Sequence, residues 1–116
     1  MTSDLFAERF AAVRQRFVAK LDARIDEIEA TVPALGAAGS LDVMARAHRR
    51  AHDLCGVGPT MGFIATGKAA RSIEQLLLAA LRAERALTAD EIIRLTDGIA
   101  VLRSAASAET CSDRQG

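Results

Sequence analysis

The chain has 116 residues, 15 Lys and Arg against 15 Asp and Glu, and 50% apolar residues. That length suits one domain, and a zero net charge argues against a dedicated nucleic-acid binder, which usually presents a basic face. The apolar share supports a real core rather than disorder, and no window approaches ~20 uninterrupted apolar residues, so no membrane span is expected. The start of the chain, with Asp4, Glu8 and Arg9, lacks a basic stretch followed by an apolar run, so no signal peptide is expected. Two cysteines, Cys55 and Cys111, make no disulfide framework, and a cytoplasmic protein is expected. Alanine occurs 24 times and Tyr and Trp not at all. Alanine loses no rotamer freedom in a helix, whereas strands favour β-branched and aromatic residues, so the expected class is all-α.

Residues 4–32 read as one long helix with room for a bend. Phe6, Phe10, Val13, Phe17, Leu21, Ile25, Ile28 and Val32 are spaced by three or four and share one stripe. Ser3 is placed to cap it; Pro33, Gly36, Gly39 and Ser40 mark its end. A second helix is expected from Leu41 to Val57, capped by Ser40, with Met44, Ala47, Ala51 and Leu54 facing the core. Gly58 and Pro59 are expected to stop it.

A third helix is expected from Thr60 or Met61 to Ala86, with Phe63, Ala70, Ile73, Leu77 and Leu81 on one face. The run from Leu76 to Leu81 is apolar all round, as in a deeply buried segment or one that meets a partner. Thr88 and Glu91 have the spacing of a capping box, opening a fourth helix with the seam Ile92, Leu95, Ile99 and Leu102. Residues 108–116, small and polar, read as a flexible tail behind a single domain over 1–107. Four amphipathic helices with short links predict an antiparallel four-helix bundle, up-down-up-down. A monomer is expected.

The informative stretch runs from Arg46 to Phe63. On a helical wheel His52 lies about 130° from the core line, on the wet flank, and His48 about 90° away, at the boundary. His48, Arg49, Cys55 and Gly56 ring His52 at one-turn spacings. Glycine inside a helix costs about 1 kcal/mol against alanine. Gly56 therefore reads in two ways: as bare surface kept for an approaching macromolecule, or as the beginning of the helix end. Arg46, Arg49 and Arg50 make either a basic docking rim or an ordinary solvated face. His48, His52 and Cys55, on one helix without a carboxylate, make a poor metal site, and none is expected. Cys55 reads as a packing residue before a redox handle.

His52, Leu54, Gly56, Gly62 and the pair Ile73-Glu74 together resemble the histidine-containing phosphotransfer (HPt) domain, in register and without a gap. The resemblance implies that His52 accepts a phosphoryl group. It would exchange this with an aspartate on a response-regulator receiver, or take it from a hybrid histidine kinase. It implies a carrier, not an autonomous kinase: no nucleotide loop is present, no cofactor of its own is expected, and Mg²⁺ is expected on the receiver. Leu54, Gly62 and Glu74 are then structural positions of the motif. The sequence departs from the family at Cys55, where a lysine that helps orient the phosphoryl group is usual. Val57, Gly58 and Gly67 also depart from it. Arg49, Lys68 or Arg71 could supply the missing cation, with His48 beside them. The alternative is a non-catalytic module that binds or sequesters a receiver. Neither nucleic acid nor membrane is expected as a partner.

Overall fold

The apolar stripes can be buried together only if the helices pack side by side, and they do. The computed structural model describes residues 2–115, with side chains over 4–112. It contains α1 (Thr2–Leu35), α2 (Leu41–Thr60), α3 (Ile64–Arg82) and α4 (Ala89–Gln115). Each helix packs on two neighbours in a ring, α1–α2–α3–α4–α1, with no diagonal pair in contact among the described residues. Cross-helix contacts fix the directions. Arg14 of α1 meets Met61 just past the end of α2, and Glu27, further along α1, meets Arg50 in the middle of α2. Arg103 of α4 reaches Asp26 and Glu29 of α1. Sequence numbers rise on one helix as they fall on the next, so the architecture is an antiparallel four-helix bundle.

The expected core lines hold through Phe17, Leu21, Ile25 and Ile28, through Met44 to Leu54, and through Leu95, Ile99 and Leu102. Phe17 and Phe63 meet edge to face at 5.3 Å. The α1 stripe, however, overruns its cover. Residues 4–13 are all exposed, including Leu5, Phe6, Phe10 and Val13, because α1 is 34 residues long against 20 for α2. The run 76–81 is amphipathic in place: Leu77 and Ala80 are buried, Leu76, Leu78 and Leu81 half-buried, and Ala79 exposed.

Both prolines were expected to lie beyond a helix end, and both lie within. Pro33 sits in α1, which continues to the fully buried Leu35. Pro59 sits in α2, which continues to Thr60. A proline one turn from a helix end removes little bonding, and burial of Leu35, Met61 and Phe63 holds those last turns in place. The α2–α3 turn closes through Phe63 N–H to Gly58 O, 2.8 Å, with Gly62 at φ +85°, a conformation that favours glycine. α3 thus starts at Ile64 and ends at Arg82, shorter at both ends than expected.

The caps differ in how local they are. Thr88 and Glu91 form the expected box, with bonds of 2.9 and 3.2 Å, and Arg85 binds Glu91 at 2.6 Å. Ser40 precedes α2, but its hydroxyl turns back to the Leu35 carbonyl rather than capping. The side chain of Ser3 lies outside the described side chains. The expected tail is helical: residues 108–115 complete α4, and Glu109 caps α3. Its carboxylate accepts from the N–H groups of Ala65 (3.1 Å) and Thr66 (2.7 Å) and from the Thr66 hydroxyl (2.6 Å).

Two predictions follow from the caps. Glu109→Ala should cost about 1–2 kcal/mol in urea unfolding, the scale of a lost N-terminal cap; a dispensable tail would give no change. The Arg85 guanidinium, then the Thr88 N–H, hold the Glu91 carboxyl down at about 2. Its unfolded value is near 4.5, so its contribution is complete above that pH and drains as pH falls toward about 2. The urea midpoint should therefore fall further between pH 7 and pH 3 in wild type than in Glu91→Gln.

Candidate functional site

The seam between α2 and α3 builds the site. A Cβ added at Gly67 would stand 2.8 Å from both Cγ and Cδ of Pro59, so only glycine lets the helices approach there. Two turns along, the same seam brings His52 of α2 opposite Glu74 of α3. His52 Nδ1 lies 3.2 Å from Glu74 Oε1. The His52 side chain is 65% exposed and that of Glu74 only 17%. A carboxylate against Nδ1 favours the proton on that nitrogen, which leaves the lone pair on Nε2. No described residue bonds Nε2.

His48 lies one turn from His52, its ring 6.2 Å from the His52 ring and 16° from parallel. It is half-buried, and its Nε2 is buried without a hydrogen-bond partner among the described residues. Ala45, His48, Arg49, His52 and Leu81 line an open cleft of about 310 Å³. His48 is thus the boundary residue that the wheel places, packed in the groove toward α3.

On the other side of His52 stand Cys55 and Gly56. Cys55 is half-buried. Burial first, then the Glu74 carboxylate, push its thiol above the ordinary value, and the Arg71 charge only partly opposes them. A thiol held protonated is a poor nucleophile, which favours packing over a redox role. Nothing lies within 4 Å of a Cβ added at Gly56, and the helix continues beyond it to Thr60. Nothing within the fold therefore requires glycine at 56. Leu54 is buried in the core, and Val57 is exposed.

The basic rim is less uniform than the sequence suggests. Arg46, Arg49, Lys68 and Arg71 are exposed and pair with no described carboxylate, whereas Arg50 is held by Glu27 at 2.8 Å. Arg24, Arg50, Asp53 and Val57 line a second cleft on the α1 side of about 250 Å³. Among the described residues, no group of three His, Cys, Asp or Glu could hold a metal ion. Nor is any helix long and apolar enough to cross a membrane.

Sequence reasoning placed Glu74 in a motif but missed its contact with His52. The signal that would have found it is Gly67. Once Gly67 is set against Pro59, Glu74 must face His52, seven residues on along each helix.

No curated protein and no solved structure matches the chain. The family model of the Hpt domain matches residues 12–105, most of the chain and all of α2 and α3. The chain therefore belongs to the Hpt domain family and is a phosphotransfer module of two-component signalling.

Proposed function

We propose that His52 carries the phosphoryl group, exchanging it with an aspartate on a response-regulator receiver. The observation that supports this best is the exposed imidazole with Nδ1 against Glu74 and Nε2 unbonded. In the forward step the Nε2 lone pair forms the N–P bond. The P–O bond to the receiver's aspartate breaks, leaving its electron pair on that carboxylate. The Nδ1 proton stays on the ring, and the positive charge the ring gains is offset by Glu74 at 3.2 Å. Reversal restores the neutral imidazole. The receiver brings the acidic pocket and the Mg²⁺, and it meets the chain in the cytoplasm. Open space at Gly56 lets its loops reach the phosphoryl group, and unpaired Arg46 and Arg49 steer an acidic surface.

A second reading has one specific observation in its favour: Cys55, neutral and half-buried, stands where the family usually carries lysine. A module that binds receivers without transfer would keep its affinity in His52→Ala and pass no label in wild type.

The direct test incubates the chain with a phosphorylated receiver and measures acid-labile, base-stable label. Wild type should take label and His52→Gln none; equal labelling of the two would remove the assignment. Glu74→Ala should slow transfer about tenfold, and Glu74→Gln, which loses only the charge, should fall between. Gly56→Ala separates docking from folding. Its stability should rise by about 0.5–1 kcal/mol, as for glycine replaced within a helix. Its affinity for a receiver that exchanges label with wild type should fall about tenfold, read by titration calorimetry. Unchanged affinity would return Gly56 to the plain helix-end reading.

A further inference from the structure

We propose, resting on His52 as phosphoacceptor, that Arg71 of α3 is the cation that binds the phosphoryl group on phosphorylated His52. A phosphoryl group brings a charge of about −2 to a ring that already faces the Glu74 carboxylate. Two carboxylate-like groups so close together are unfavourable without a cation beside them.

The seam fixes where that cation stands. Pro59 packs on Gly67 and His52 on Glu74, so α2 from 52 to 59 runs opposite α3 from 74 to 67. Cys55 and Arg71 each lie three residues in from the His52–Glu74 end, which sets them across the groove from one another. The Cys55 thiol feels the Arg71 charge, in keeping with that placement. Arg71 is exposed and engages no described carboxylate, so no ion pair must break before it turns to a phosphate. Its Cα sits about 4.5 Å along the helix axis from that of Glu74, within a guanidinium's reach. Lys68 sits about 9 Å away on the same measure, near the level of Pro59. Arg49 lines the cleft on the His48 side, away from Gly56. Arg71 thus places its planar donors on the Gly56 side, above the small side chain of Cys55.

The test uses the full chain and phosphoramidate, a small donor that needs no partner protein. Its P–N bond breaks as the Nε2–P bond forms, and the nitrogen leaves as ammonia, already protonated in the donor. Uptake and loss of the phosphoryl group are followed by intact mass and phosphorus NMR. Arg71→Ala should take up label about tenfold more slowly, or lose it about tenfold faster, than wild type. Arg49→Ala and Lys68→Ala should lose less than Arg71→Ala, and Arg71→Lys should fall between it and wild type. Cys55→Lys placed in the Arg71→Ala chain should recover part of the loss, by returning a cation near the same spot from the other helix, though Glu74 takes up some of its charge. A merely structural Arg71 would not be rescued in this way. An Arg71→Ala chain within twofold of wild type in both uptake and loss of label overturns the assignment while His52 stands. So does a larger loss in Arg49→Ala. A wild type that takes no label from phosphoramidate or a phosphorylated receiver, or His52→Gln that labels like wild type, removes the phosphoacceptor reading and this assignment together.

Discussion

The contact on which the site depends is an approach of two helices that a single methyl group would prevent. At Gly67 a Cβ would overlap the Pro59 ring, and at Gly58 it would come within 3.2 Å of the Phe63 carbonyl. Small residues on both sides let α2 and α3 close at that end, and the turn through Gly62 completes the clamp. Two helical turns further on, the same register sets an imidazole against a carboxylate at 3.2 Å. A slip by one residue moves a helix by about 1.5 Å and rotates its side chains by about 100°, enough to part them. Glu109 matters for the same reason. It grips the first turn of α3 from α4, next to Gly67, so the fourth helix holds the seam in register without touching the site.

Surface ion pairs contribute little, about 0–1 kcal/mol, because water already solvates both partners. The polar contact at His52 therefore does its work by direction rather than by stability. It favours the proton on the nitrogen that faces Glu74, and in the proposed transfer it supplies a negative charge where a positive one develops. The scaffold contributes rigidity: His52 stands in the middle of a 20-residue helix whose opposite face, Met44 to Leu54, is fully packed. An imidazole so mounted needs no conformational change to be presented to another protein.

What could be read from the sequence was what is local. The Thr88–Glu91 box shows because both partners lie within four residues, and the buried lines show because a helix repeats its face every three or four. Glu109 could not be read, since its partners lie more than 40 residues earlier and no pattern joins them. The prolines misled for a related reason. Proline dislikes a helix interior, but Leu35, Met61 and Phe63 gain more from burial beyond each proline than the lost bond costs. The stripe Phe6, Phe10, Val13 shows the limit of periodicity itself. It marks an apolar face correctly and says nothing of whether another helix is long enough to cover it. Likewise the exposure of His52 follows from its angle to the core line, while its partner Glu74 follows only from the register of a second helix.

That register also bears on why a cysteine can stand at 55. The thiol there lies close enough to Glu74 for the carboxylate to raise its titration, and a lysine ammonium at 55 would meet the same carboxylate. Such a lysine would compete with His52 Nδ1 for Glu74, and its charge would be partly spent before any phosphate arrived. A small neutral side chain leaves Glu74 to the imidazole. On the proposed assignment the cation is Arg71 instead, on the facing wall of the groove, exposed and unpaired with any described carboxylate until a phosphoryl group stands on Nε2. The proposal assigns one helix to the nucleophile and the facing helix to both charges around it, so the chemistry it describes depends on the seam that holds the two together.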